Sequence, residues 1–233
     1  MKGAYEKKPI YRNELKQYIN IGDYIILRNR LEVICSKDKH AQRSGKYKIR
    51  SLYFETPDDK ALREKLDGVN NREKFRLRYY DDDFSFIKLE KKSKSNGYGN
   101  KITAPVTKEE CERIISGDIE WMKKSGRALL LELYGKIKGE LLMPKTIVDY
   151  TREPYVYAPG NVRITIDSNI RTGIYSKDFL NSEVVTLSPL MADPIILEVK
   201  FDNFLPEIIR GAVQLGNRRS TAFSKYAVCR MYG

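Results

Sequence analysis

A chain of 233 residues, 41% of them hydrophobic, can bury the core of one large domain, and that content argues against disorder. Its 43 Lys and Arg against 31 Asp and Glu leave a formal charge of +12, which favours a polyanionic partner: nucleic acid, an anionic membrane or phosphates. The single histidine, His40, excludes a His-rich zinc site and paired histidine bases, and argues against a His-based triad.

No GxxxxGK[ST] phosphate loop occurs, and Gly97-Tyr98-Gly99 lacks the strand-to-helix context of a dinucleotide fingerprint, so it reads as a hairpin loop. Cys35, Cys111 and Cys229 lie far apart with no CxxC pair, which points to free thiols in a reducing compartment. The opening MKGAYEKKPIYRNELK has no apolar core, so no secretory leader is expected. Apolar stretches such as ALLLELYG at 128–135 are too short to span a bilayer. The expectation is a cytoplasmic protein with no transmembrane segment of its own, leaving room for a peripheral membrane location or a membrane-embedded partner.

In chain order, alternation and flanking turn residues predict strands near 10–19 and 46–55, then a short helix from Pro57 to Leu66 that stops before Gly68. Strands follow near 73–81 and 84–92, joined by a tight turn at Asp81-Asp82-Asp83, and near 99–104. Helical spacing fits 107–116, where Thr107 and Glu110 make a capping box, and 120–142. Strands near 146–157, 162–168 and 195–202 and a helix near 206–216 complete the pattern. Many strands with a few helices imply an α+β fold on a largely antiparallel sheet. With no repeat or long linker, residues 1–233 read as one domain.

Residues i, i+2 and i+4 of a strand share a face. Lys74, Arg76 and Arg78 therefore stand together, opposite Phe75, Leu77 and Tyr79; Lys88, Glu90 and Lys92 form a second such row. The same rule groups Arg12, Glu14 and Lys16; Arg163, Thr165 and Asp167; Glu198 and Lys200; and Tyr150 with Arg152. One charged strand face is ordinary. Six that are dominated by cations imply a shared basic lumen if the sheet closes, with the apolar faces under the helices. Two cations about 5–6 Å apart repel by roughly 3 kcal/mol at an effective dielectric near 20, and a bound polyanion removes that cost. Glu14, Glu90, Asp167 and Glu198 could pair with these cations, or one or two could hold a hard divalent metal on phosphate oxygens.

The quoted rows, with RSLYFET at 50–56, REKFRLRYY at 72–80, VDYTREPY at 148–155, VRITID at 162–167, ILEVKF at 196–201 and FSKY at 223–226, closely resemble the VTC (vacuolar transporter chaperone) domain. This is the polyphosphate polymerase branch of the triphosphate tunnel metalloenzymes, in the CYTH-like superfamily. The resemblance covers nearly the whole chain. It implies an eight-stranded antiparallel β-barrel tunnel, open at both ends, with helices packed outside. It also implies transfer of the terminal phosphoryl group of ATP to a growing inorganic polyphosphate chain, with Mn²⁺ or Mg²⁺. Arg76, Arg78, Lys88 and Arg152 are the catalytic candidates, with Lys16, Lys74, Lys92, Lys101, Tyr150, Arg163, Lys200, Ser224 and Lys225 as phosphate contacts. Glu198 would ligate the metal, with Glu14 and Glu90 as further ligand candidates.

Several residues keep a plainer reading. Glu198 could be the ion-pair partner of Lys200, Tyr150 a core aromatic, and Lys225 part of a solvated basic helix. Lys92 could be lumenal or solvated, Lys91 and Lys94 solvated or at a tunnel mouth, and His40 an exposed loop residue. A triphosphate hydrolase of the same fold would carry more carboxylates, in a Glu-x-Glu-x-Lys row where this chain has Arg12-x-Glu14-x-Lys16. A non-catalytic binding module could dispense with Glu198. Nucleic-acid binding would set the cations on an exterior with stacking aromatics, whereas alternation sends them inward.

Overall fold

The computed structural model describes residues 12–38, 41, 44–96, 98–189, 193–216 and 221–231. The expected exposure of His40 and the first residues of the strand near 10–19 lie outside them. The chain runs β1 (Asn13–Ile19), α1 (Ile21–Ile34), β2 (Ser36–Lys37), β3 (Tyr47–Glu55), α2 (Lys60–Leu66), β4 (Arg72–Tyr80), β5 (Asp83–Ser95), β6 (Tyr98–Val106), α3 (Lys108–Ser116) and α4 (Ala128–Glu140). It continues through β7 (Met143–Tyr157), β8 (Val162–Thr172), β9 (Ile195–Phe201), α5 (Glu207–Val213) and α6 (Lys225–Met231).

The strands make one curled antiparallel sheet in the order β1-β9-β8-β7-β3-β4-β5-β6, with β2 paired to β7. The expected α+β fold on an antiparallel sheet is present, but the ladder is a half-barrel. Its edges, β1 and β6, are not paired among the described residues. The backbone N–H of Thr221 donates to the carbonyl of Lys16 at 2.9 Å, so the segment before α6 takes up a hydrogen bond at the free edge of β1.

Local chemistry explains the boundaries. Asp81 and Asp82 both have positive φ, 50° and 59°, as a two-residue type I′ hairpin turn requires. The Asp81 carboxylate accepts from the N–H of Lys48 at 2.7 Å, tying that turn to β3. Thr107 and Glu110 form the expected capping box at the start of α3. The helix expected from Pro57 begins only at Lys60, because its first N–H groups are satisfied from β3's end: Lys60 by Thr56 Oγ1, Ala61 and Leu62 by the buried Glu55 carboxylate. The helix expected over 120–142 is two pieces, a 3-10 turn at Glu120–Lys124 and α4, separated by Gly126 at φ 69°. Sequence periodicity missed α1. Leu27 and Leu31 are its buried residues, but Ile21, Ile25, Ile26 and Val33 are exposed, so apolar side chains ring the helix and hide its inner face.

The convex face carries two cores. Phe75, Leu77, Leu89 and Leu52 pack under α3 and α4, and Ile164, Ile166, Leu197 and Val199 pack under α1 and α5. The expectation that all helices pack outside is corrected at α6. Its Tyr226 and Cys229 join Tyr53, Val148, Tyr150 and Ile196 in a third cluster on the concave side, where α6 also meets α2. The apolar face of α6 drives it there, so it is not a solvated basic helix.

Candidate phosphate-binding face

The register brings the alternating polar rows onto one concave surface. Across β4 and β5, Lys74 stands opposite Lys92, Arg76 opposite Glu90 and Arg78 opposite Lys88; Lys92 in turn faces Lys101 on β6. On the other side of the curl, Arg152 faces Asp167, Thr165 faces Glu198, Arg163 faces Lys200, Lys200 faces Glu14 and Glu198 faces Lys16. The two sides sense each other: Lys16 is among the charges acting on both Lys74 and Lys92.

At the centre, Arg76 donates to Glu90 Oε2 at 2.7 Å and to the Tyr53 hydroxyl at 2.7 Å. Arg78 donates to Ser51 Oγ at 2.9 Å and to the Tyr150 hydroxyl at 3.1 Å. Glu90 is 2% exposed, and Lys101 reaches its other oxygen at 3.4 Å. Burial alone would raise the Glu90 pKa, but Arg76, Arg78 and Lys101 bring it down to about 2. Burial likewise opposes ionisation of the Tyr53 phenol, yet Arg76, Lys74 and Arg78 outweigh it and lower that pKa to about 7.

Arg152 grips Asp167 through two bonds, Nε to Oδ1 at 2.6 Å and Nη2 to Oδ2 at 2.7 Å. Lys225, the first residue of α6, reaches the same carboxylate at 2.6 Å. Asp167 is fully buried, and these cations hold it ionised against its desolvation. The Tyr150 ring meets Lys225 at 4.8 Å, Arg152 at 5.4 Å and Arg78 at 5.8 Å. Tyr150 is thus 5% exposed and also a platform that spaces three cations. Ser224 caps α6, its hydroxyl accepting from the N–H of Ala227 at 3.3 Å.

Glu198 is met by Lys16 at 3.2 Å and, more closely, by Lys200. Burial opposes its ionisation, but Lys200, Lys16, Arg152 and Lys225 hold its pKa far below the usual carboxylate range. Glu14 contacts Lys16 and lies 3.7 Å from Lys200. Burial and Glu198 raise the Glu14 pKa, while Lys16, Lys200 and Lys92 lower it further than they raise it. Glu14 and Glu198 are therefore a coupled pair of acids at one place. Among the described residues no group of three acidic, His or Cys side chains gathers as a metal cage. Two carboxylates do fit Mg²⁺ or Mn²⁺ if phosphate oxygens and water complete the shell. Glu90, the third ligand candidate, is engaged by Arg76 and Lys101 and anchors the arginine.

The remaining candidates lie towards the ends. Lys88 sits over the Phe86 ring at 4.2 Å, near Tyr80. Arg163 reaches Asp38 at 3.0 Å and donates to the Tyr47 hydroxyl at 3.2 Å. Lys91 turns to the convex side, where it is largely buried and paired with Glu73 and Glu132, so the expectation of a solvated side chain or one at a tunnel mouth is corrected. Tyr53 and Ser51 are site residues that sequence reasoning passed over. Their parity in RSLYFET was the available signal, since both alternate onto the face that Arg76 and Arg78 occupy.

A family model described as the VTC domain matches residues 11–232. No protein among curated sequences matches. Among solved structures, a candidate adenylate cyclase from Bacillus halodurans is similar at 13% identity and a TM-score of 0.48, over 80% of this chain and 78% of that one. A Pyrococcus horikoshii OT3 protein is similar at 14% identity and a TM-score of 0.41, over 87% of this chain and 84% of that one. At these values the structural likenesses add nothing to the family match.

Proposed function

Because this chain belongs to the VTC domain family, we propose that it is a metal-dependent polyphosphate polymerase working along the concave face. It would transfer the terminal phosphoryl group of ATP to a growing inorganic polyphosphate chain. The observation that carries this reading is the surplus of cations over carboxylates there, above all Lys74 opposite Lys92 with no acidic partner for either within ion-pair distance among the described residues. Enclosure by the sheet pushes the Lys74 ammonium down to about 8; Tyr53 opposes that shift, and Lys92, Arg76 and Lys16 add to it. Such a cluster is unfavourable when empty and is relieved by a polyanion. A hydrolase would need further carboxylates to activate water, and beyond Glu14 and Glu198, which this reading assigns to the metal, Glu90 and Asp167 are engaged by Arg76 and Arg152.

In this reading Arg76, Arg78 and Arg152 stabilise charge on the transferred phosphoryl group, with Lys88 extending their row. Their orientations are held in advance by Glu90, Ser51 with Tyr150, and Asp167. Lys16, Lys74, Lys92, Lys101, Arg163, Lys200, Ser224, Lys225 and the Tyr150 hydroxyl bind the flanking phosphates. Glu14 and Glu198 would hold a divalent ion, whose chemistry is to neutralise charge on phosphate oxygens. Buried Cys111 and Cys229 have thiol pKa values pushed up to about 12 by desolvation, so neither offers a thiolate nucleophile. Direct in-line transfer by alignment and charge neutralisation follows.

Purified protein incubated with ATP and Mn²⁺ tests this, with gels for long phosphate chains and an assay for free phosphate. Chains that vanish in Arg76→Ala and Glu198→Ala support a polymerase. Free phosphate without chains overturns it in favour of a hydrolase, and tight triphosphate binding with neither product leaves a binding module.

A further inference from the structure

Four hydroxyls of the concave face accept hydrogen bonds from arginine: Ser51 and Tyr150 from Arg78, Tyr53 from Arg76 and Tyr47 from Arg163. Thr165 departs from this. It is 3% exposed, and its Oγ1 is buried with no hydrogen-bond partner among the described residues. An unpaired buried hydroxyl costs stability, and valine would fill the same space in a strand without that cost. Thr146 has the other buried, unpaired hydroxyl among the described residues, but it faces Tyr53, whose oxygen Arg76 already occupies.

The ladder neighbours of Thr165 are Glu198 on β9 and Pro154 on β7, and Pro154 brings neither an N–H nor a polar side chain. Directly opposed residues set their Cβ atoms about 5 Å apart, so rotation of its side chain can carry the Glu198 carboxylate to the hydroxyl. Here the carboxylate is turned to two ammonium groups instead, with Oε1 on Lys200 and Oε2 at 3.2 Å from Lys16. A divalent ion on either oxygen would repel the ammonium beside it, so Glu198 cannot keep both lysines and a metal. A hydroxyl donates a hydrogen bond without adding charge. That suits an acid that also ligates a cation.

We propose that Thr165 is a positioning residue whose hydroxyl gives Glu198 a second seat, donating to the carboxylate when it leaves its lysines for a divalent ion carried with the triphosphate. The proposal rests on the function proposed above and adds a two-position acid to it. Glu198 lies on Lys16 and Lys200 when the face is empty and on Thr165 when the metal is loaded. The two lysines are thereby released to phosphates on the same face.

The test uses the full chain with tripolyphosphate and Mn²⁺. Thr165→Val keeps the shape and loses the hydroxyl, whereas Thr165→Ser keeps the hydroxyl. Without ligands, T165V should unfold at a higher temperature than wild type, because an unpaired buried hydroxyl is gone. Equilibrium dialysis should show Mn²⁺ held by the tripolyphosphate-loaded protein about tenfold more weakly in T165V and close to wild type in T165S. Tripolyphosphate binding in metal-free buffer should be unchanged in both. Equal Mn²⁺ affinity in wild type and T165V overturns the proposal, as does T165S falling as far as T165V. A metal-free loss as large as the loss with Mn²⁺ also overturns it, by placing the hydroxyl on phosphate. So does an empty T165V less stable than wild type, since the hydroxyl then has a partner already. Wild-type protein that takes up no Mn²⁺ with tripolyphosphate removes the metal-dependent function, and the second seat with it.

Discussion

Lys74 and Lys92 face each other directly across β4 and β5, two ammonium groups where a sheet ordinarily sets opposite charges. The folded Lys74 pKa of about 8 lies below its ordinary 10.5. Between those values the unfolded chain binds more protons, so this group makes stability rise with pH across that window. A bound polyanion favours the ammonium form. Triphosphate binding at about pH 9 should therefore take up protons, read by calorimetry in buffers of different ionisation enthalpy. No proton uptake, or release, would contradict the placement of phosphate beside Lys74.

Tyr53 should titrate as a phenol near neutrality, because Arg76, Lys74 and Arg78 surround it. Near-UV absorbance of wild type should show a phenolate forming around pH 7 that Tyr53→Phe lacks. Adding triphosphate should move that titration upward, since the polyanion competes for the same cations.

Arg76→Ala should abolish chain synthesis. It also leaves Glu90 buried without its main partner, which should cost about 3 kcal/mol in denaturant unfolding. The double variant R76A/E90Q should regain most of that stability while remaining inactive. Recovered activity in the double variant would show that Arg76 serves only to neutralise Glu90.

Glu198→Gln should retain the fold and tripolyphosphate binding but lose the Mn²⁺ taken up with it, measured by equilibrium dialysis of the metal. Its Lys16 and Lys200 partners lie on the phosphate face, so freeing them should strengthen metal-free triphosphate binding. Unchanged Mn²⁺ uptake would remove Glu198 from the metal site.

Asp167→Asn should destabilise the protein by about 3 kcal/mol, because Arg152 and Lys225 lose a fully buried carboxylate. In wild type the lowered pKa values of Asp167 and Glu90 contribute stability that is present above about pH 4.5 and is lost as pH falls through the folded values. The acid limb of a thermal unfolding profile should therefore be shallower in the Asn variant. Hydrogen exchange should report faster opening of α6.

Much of the concave face was readable in advance because strand periodicity is local. A two-residue repeat assigns Lys74, Arg76 and Arg78 to one side whatever the strand later pairs with, and the same parity held for Lys88, Lys92, Arg163, Glu198 and Lys200. Side-chain partners are a different matter. Glu90 and Glu198 have the same parity and the same chemistry, yet one anchors Arg76 and the other sits beside Glu14, a distinction that depends on which strand each faces. The half-barrel edges and the seating of α6 on the concave side likewise join segments distant in sequence. Local alternation determined which residues face inward. Only long-range packing decided which cations are neutralised and which are left without a carboxylate, because ion pairing depends on separation in space and not along the chain.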